Sequence, residues 1–362
     1  MQRIGIDGLL LTGSNLAYTS GFANLGKTLA RPSFFIMTSA GRVVLLVQEG
    51  RWYEASTHSW VEDVQTYRRL SSAPIVELRN IFDELALTGH KVGVEIGLGQ
   101  LLGVPIEEFQ KLRTALSPTS FVDVSALMRS ARETKGKDDQ QTVWAASRQV
   151  THVLARAQLR DWVGLSLLDL QRSLVEQLLD GAEDARIRVL AHERAPDVGS
   201  TFAGAEVISS DDVLCVEMDC NVNGLWASAS GILLGSDCPS QWNLLASELS
   251  ALTDRLTDRV IPGQMTASLS NLGMRLLTEC GDHYINAVSV MDDRMGHGLG
   301  VDVIESPYLD PGSDTILSPG MALYVRPTLH TPTGVLRTGR TIVVTEDRIE
   351  RMNLRGTEVV VS

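Results

Sequence analysis

His297 stands between Gly296 and Gly298, with Gly300 following, in the segment GHGLGVDVIESPYL at residues 296–309. Imidazole has an unperturbed pKa of about 6.5 and can take and return a proton near neutrality. Glycines on both sides carry no Cβ, so a ligand can approach the backbone closely and the ring is expected to be accessible. A loop histidine bonded to backbone is the plainer alternative. The segment is not a dinucleotide fingerprint, because the third glycine of G-x-G-x-x-G falls on Val301 and no helical pattern follows. GLGQLLG at 97–103 follows a strand-like run, but Pro105 interrupts the helix a phosphate would need, so it reads as a turn.

Carboxylates and arginines form the second chemical set. VEMDCNVNGLWASAS at 216–230 holds Glu217 and Asp219, and no further acid occurs up to residue 236. No Asp or Glu occurs between 315 and 345, a stretch that contains Arg326 and Arg340. A guanidinium suits bidentate capture of a carboxylate or phosphate, and Arg326 has that reading beside the simpler one of a salt-bridged strand residue. Strand alternation turns Arg340 away from the face of Gly339. Glu217 would pair with Arg326 or act as acid or base; Trp226 would form an apolar wall or part of the core. The cysteines, Cys215, Cys220, Cys238 and Cys280, follow no paired zinc spacing and read as reduced thiols, with a nucleophilic role for Cys215 or Cys220 the rarer possibility.

These residues need a framework, and 362 residues suffice for two domains. Residues 7–130 alternate short apolar runs with helical patterns, the rhythm of a layered α/β domain. The polar stretch ARETKGKDDQQ marks a boundary, giving domains at 1–131 and 132–362. The second domain shows a weak duplication about a hundred residues apart. Ser166 and Asp169 cap a helix with Leu167, Leu170, Leu174 and Leu178 on one face, and Pro239 and Ser240 open another with Trp242, Leu245, Leu249, Leu252 and Leu256. Strand-like segments follow each copy, which predicts two αα-ββ halves around a cleft.

With 44 acidic against 32 basic side chains the net charge is -12, so nucleic acid and anionic membrane are not expected partners. No apolar run reaches the ~18 residues of a bilayer span. The opening MQRIGIDG lacks a signal peptide's apolar core, and cytoplasmic residence is the expectation.

At GHGLG the chain resembles the pita-bread superfamily, which holds methionine and proline aminopeptidases, prolidases and the metal-free enzyme creatinase. YTSGF, ARPSFFIM and AGRVVLLV are similar to its N-terminal domain, KGKDDQQ to the entry of its catalytic domain, and LSPGMALYVRP and TGRTIVVTEDRIERMN to its last strands. The resemblance implies an α/β N-terminal domain followed by an α+β pita-bread domain with pseudo-twofold αα-ββ halves. The family's peptidases hold two divalent metals with two Asp, one His and two Glu, lowering the pKa of a bridging water. Carried onto this chain, those places fall on Glu217, Ser228, His297, Arg326 and Gly339, with a slipped register offering Asp219 and Ser230. A further family histidine corresponds to Ile304, before Glu305. One acid and one histidine cannot hold a dinuclear centre, so no metal or other cofactor is expected.

Creatinase supplies the metal-free precedent. Arg31, in the ARP step, matches an arginine that binds the substrate carboxylate from a neighbouring subunit, which implies a homodimer. His192, in VLAHERAP, could add an imidazole or be an ordinary polar residue at a strand end. The expectation is a metal-independent, creatinase-like hydrolase or lyase acting on a C–N bond of a small, anionic, carboxylate-bearing molecule. His297 and Glu217 would move protons, with Arg31, Arg326, Trp226, Ser228 and His192 around the substrate. A non-catalytic binder of a small ligand or protein is the alternative, and a metal-dependent Xaa-Pro peptidase ranks last.

Overall fold

A computed structural model describes residues 1, 4–22, 31–70, 72–97, 102–158, 162–191, 205–283, 290–291, 294–331, 334–346 and 349–351. The chain divides into two compact units, Met1–Ala131 and Arg132–Ser362. Of the GLGQLLG turn, residues 98–101 lie outside the described residues.

The first unit is built on a mixed sheet of β1 (Gly8–Leu11), β2 (Phe34–Thr38), β3 (Val43–Gln48), β4 (Val64–Tyr67), β5 (Lys91–Val94) and β6 (Ser120–Asp123), in the order β4-β3-β2-β1-β5-β6. Its helices are α1 (Gly13–Ser20), α2 (Trp52–His58), α3 (Ile75–Glu84), α4 (Ile106–Ala115) and α5 (Ser125–Glu133). The central strands β1, β2 and β3 read as largely apolar runs because both faces are covered. Phe34 and Ile36 join one core with Phe82 and Phe109, whereas Phe35 joins another with Leu11 and Met128.

The second unit opens with α6 (Lys137–Gln158) and α7 (Leu167–Leu179), which cover a sheet of β7 (Asp184–Ala191), β8 (Val213–Val222) and β9 (Leu225–Leu234). The expected cap of α7 forms reciprocally: the Asp169 N–H donates to Ser166 Oγ at 3.0 Å, and the Ser166 hydroxyl donates to Asp169 Oδ2 at 2.7 Å. Leu167, Leu170, Leu174 and Leu178 are all buried. The second half repeats the scheme with α8 (Ser240–Thr257) and α9 (Thr266–His283), then β10 (Val290–Met291), β11 (Gly296–Gly298), β12 (Glu305–Leu309), β13 (Ala322–Val325), β14 (Thr328–Thr331), β15 (Gly334–Arg337), β16 (Arg340–Val344) and β17 (Ile349–Arg351). They pair as β12-β11-β13-β16-β17 and β10-β14-β15. The leucine face of α8 is buried against this half, as its spacing predicts.

The two halves join through backbone. Ser230 on β9 and Gly339, just before β16, exchange both bonds at 3.2 and 3.0 Å. The Trp226 N–H donates to Gly300 O at 2.8 Å, so the glycine-rich segment is tied to β9. Among the described residues no helix is long and apolar enough to cross a membrane.

Candidate functional site

Ladder register places the polar residues. Arg188 on β7 lies opposite Glu217 on β8, Glu217 opposite Ser230 on β9, and Ser230 opposite Gly339. Directly paired residues share a sheet face, so these four form one row. The neighbouring row is Arg186, Asp219 and Ser228, with the Ser228 N–H donating to Thr341 Oγ1 at 3.0 Å. His297 on β11 lies opposite Tyr324 on β13, and Tyr324 opposite Thr341.

Glu217 is buried and held by two guanidinium groups. Arg337 Nη1 donates to both carboxylate oxygens at 2.9 and 3.0 Å, Arg188 donates to Oε2, and Arg337 Nε donates to Thr328 Oγ1 at 2.9 Å. Burial alone would raise this carboxyl's pKa, but Arg337, Arg188 and Arg326 together hold it below the ordinary range. It is therefore an ionised counter-ion and not the proton-transfer group expected, and its direct partners are Arg188 and Arg337 instead of Arg326. Asp219 is the group poised to titrate: burial, then the charge of Glu217, pushes it up to about 7. The Ser228 hydroxyl donates to its Oδ1 at 2.6 Å.

His297 differs from expectation. It is only 4% exposed, and burial followed by the Arg326 charge pushes its pKa down to about 4. Its ring is neutral at pH 7 and does not give up a proton there. Nδ1 lies 3.0 Å from the Gly298 carbonyl, an acceptor, so Nδ1 carries the hydrogen and Nε2 the lone pair. The flanking glycines serve packing instead of access: a Cβ at Gly296 would collide with the Tyr324 carbonyl, and one at Gly298 with the Ser306 carbonyl. The ring meets Tyr324 edge-on at 5.6 Å, and the Tyr324 hydroxyl donates to Ser230 Oγ at 2.7 Å.

Trp226 is buried on the face of Ser228, with the Arg186 guanidinium 4.5 Å over its ring. Arg326 follows β13, its N–H donating to Met295 O at 2.8 Å, and its charge acts on both Glu217 and His297. Arg340 turns away, as alternation predicts, and donates to Asp254 Oδ1 at 2.6 Å. Arg31 is exposed in the first unit, and His192 lies outside the described residues. Cys215 and Cys220 are buried with pKa values raised to about 11 and about 12 by burial, which removes the nucleophile reading. Sequence reasoning missed Arg188, Arg337 and Tyr324. A signal existed for Arg337, which stands two residues before Gly339.

Comparison with known proteins identifies the frame. The model for "Metallopeptidase family M24" matches residues 141–346. The chain belongs to this family. Residues 1–134 match the "Creatinase/Prolidase N-terminal domain". An Xaa-Pro dipeptidase of Pyrococcus furiosus is 26% identical over 124 residues, a match that spans 33% of this chain and 33% of that relative's length. The prolidase of Pyrococcus horikoshii superposes with a TM-score of 0.83 at 18% identity, over 99% of this chain and 97% of its own. A prolidase from Thermococcus sibiricus gives 0.84 at 21% identity, over 99% and 95%. The expected two-domain pita-bread fold is thus shown. The expected metal-independent, creatinase-like C–N hydrolase or lyase is overturned. The relatives are named Xaa-Pro dipeptidases and prolidases, the class that sequence reasoning ranked last.

The metal pair that the family name implies does not fit the residues present. Glu217 is engaged by two cations, the Ser228 hydroxyl is donated to Asp219, and Arg326 brings positive charge. At Gly339 a side chain would point into the Tyr324 ring, whose Cε2 is 2.5 Å from where a Cβ would stand. Among the described residues no three His, Cys, Asp or Glu side chains gather as a ligand set.

Proposed function

We propose that the chain is a peptidase that cleaves short peptides of the Xaa-Pro class on the sheet face around Glu217, Asp219 and His297. What carries this reading is the M24 framework over residues 141–346, with its polar sheet face set in the same strands. The names of its relatives supply the substrate class. Hydrolysis adds water across the amide: a C–O bond forms, the C–N bond breaks, and the proline nitrogen leaves with a proton. His297 Nε2, with its lone pair, accepts a hydrogen bond from water. Asp219, titrating at about 7, holds and releases a proton near neutrality. Arg326 holds negative charge in the peptide, and Trp226 and Ser228 border it.

The test is free proline released from Gly-Pro and Ala-Pro, after chelation and with added Mn²⁺, Co²⁺ or Zn²⁺. Release above that of matched peptides without proline is expected; none under any condition overturns the reading. The proposal includes a cytoplasmic homodimer in which Arg31 serves the partner's site, supported by the ARP step, the exposure of Arg31 and the buried thiols of Cys215 and Cys220. A stable monomer in light scattering removes that part.

A further inference from the structure

The carbonyl that fixes the His297 ring lies in a glycine-rich stretch that constrains itself little. Gly298 and Gly300 carry no Cβ, so their backbone is free to adopt many conformations. Neutral imidazole side chains in water favour the hydrogen on Nε2. The opposite tautomer, with Nδ1 donating to Gly298 O, therefore needs that carbonyl held in one direction. A chain of contacts holds it. The same peptide unit donates from the Leu299 N–H to Ala322 O at 3.0 Å, and Gly300 O accepts from the Trp226 N–H at 2.8 Å. The Glu305 carboxylate lies against Gly300, where a Cβ would stand, and Glu305 is the ladder partner of Gly298 across a break in register between His297 and Gly298. Glu305 is fixed in turn: Lys135 Nζ donates to its Oε1 at 2.6 Å, Arg132 Nη2 donates to its Oε2, and the Asp302 N–H donates to the same oxygen at 3.4 Å. Arg132 Nη2 also donates to Asp302 Oδ2 at 2.7 Å. Two cations and two carboxylates thus close on the backbone of residues 300–305 with their charges balanced. An ion network of this kind is weak evidence for stability, and one fixed arrangement is what it can supply.

We infer that Arg132, Lys135, Asp302 and Glu305 are positioning residues for His297. They hold the backbone of residues 298–305 so that the Gly298 carbonyl keeps the imidazole hydrogen on Nδ1 and the Nε2 lone pair serves the site. They act through the backbone of Gly300 and Gly298. The positioning does not depend on the reaction; its consequence for turnover rests on the function proposed above. Without the cluster the Gly298–Leu299 peptide rotates, Nδ1 loses its acceptor, and the hydrogen passes to Nε2, which then donates where it had accepted. An imidazole in that state offers water no lone pair at Nε2.

Nitrogen-15 NMR of histidine-labelled protein at pH 7 tests the positioning without any turnover, with the His297 signals assigned by their loss in His297→Gln. The wild type is expected to carry the hydrogen on Nδ1. Glu305→Gln should shift it to Nε2 while the circular dichroism stays unchanged, and Asp302→Asn, on a side chain 45% exposed, should shift it in the same direction. A purely structural cluster would lower the melting temperature and leave the tautomer where it is. A wild type with its hydrogen on Nε2, or folded variants with Nδ1–H undiminished, overturns the inference. If Glu305→Gln does not fold, Asp302→Asn decides by the same criterion. In proline release from Ala-Pro, kcat should fall about tenfold or more in Glu305→Gln with KM little changed, the scale for losing a contact that orients an imidazole. An unchanged kcat beside a shifted tautomer overturns the role in turnover. A shifted tautomer in a chain whose wild type releases no proline leaves the positioning standing and removes the peptidase reading. Proline release with an unmoved tautomer does the reverse.

Discussion

Glu217 and Glu305 are both buried glutamates held by two cations in the second unit, and the surroundings of the pairs differ. Around Glu305 the cations are sealed: Arg132 and Lys135 side chains are 5% and 4% exposed, and Lys135 Nζ donates to Glu305 Oε1 at 2.6 Å and to Arg132 O at 2.7 Å. Arg132 also pairs with Asp302 at 2.7 Å, and the Lys135 N–H donates to Gly320 O at 2.9 Å. A Cβ at Gly300 would collide with the Glu305 carboxylate, so the backbone packs directly against it. At Glu217 one cation opens to solvent, and a titratable aspartate and a neutral histidine stand nearby. One charge pattern is therefore an enclosed brace around Glu305, while around Glu217 it is open to solvent on the Arg188 side.

The sharpest way to break this contrast is at the brace. Glu305→Ala leaves two cations buried without their carboxylate, and should cost ~3–5 kcal/mol in urea unfolding. A loss under ~1 kcal/mol would show that Glu305 is not structural.

Next comes pH, which the Glu217 side should feel through two opposed groups. His297 titrates at about 4 folded against 6.5 in a model peptide, so the unfolded chain binds more protons between those values and stability rises with pH. Asp219 titrates at about 7 against 3.8, so the folded chain binds more and stability falls with rising pH over that window. The slopes oppose each other in the wild-type chain. Asp219→Asn should unmask the histidine, giving a gain of up to ~3 kcal/mol from pH 4 to 6.5. A flat profile in that variant would mean that His297 is not desolvated.

Arg337→Met should cost ~1.5–3 kcal/mol at pH 7, the range for a hydrogen bond to a charged group. The depressed Glu217 pKa supplies stability above its unfolded value and loses it as pH falls through the folded one. The difference between wild type and variant should therefore shrink in acid, as urea midpoints at pH 7 and pH 3 would show. A constant difference would mean that Arg337 acts by packing alone. The smallest effect belongs to an exposed pair: Arg42→Ala, which breaks the 3.2 Å contact with Glu84, should cost no more than ~0.5 kcal/mol in thermal unfolding. A larger loss would show that exposure does not separate weak pairs from strong ones here.

The sequence by itself determined the elements and the fold. Leucine spacing in α7 and α8 predicts their buried faces, Ser166 with Asp169 predicts a cap, and the apolar runs at 213–222 and 225–234 become β8 and β9, because periodicity and capping act over a few residues. It also marked Glu217, His297 and Arg326 as the residues to watch and showed where metal ligands are missing. Only the tertiary structure decided what those residues do. Arg188 and Arg337 lie 29 and 120 residues from Glu217 in the chain; strand register brings Arg188 opposite it, and Arg337 reaches it from a strand of another sheet. Burial turned His297 from a proton carrier into a neutral acceptor and raised Asp219, since desolvation depends on what packs around a group and not on its neighbours in sequence. Tyr324 fills the space beside Gly339, a fact no spacing predicts because the ring arrives from a different strand.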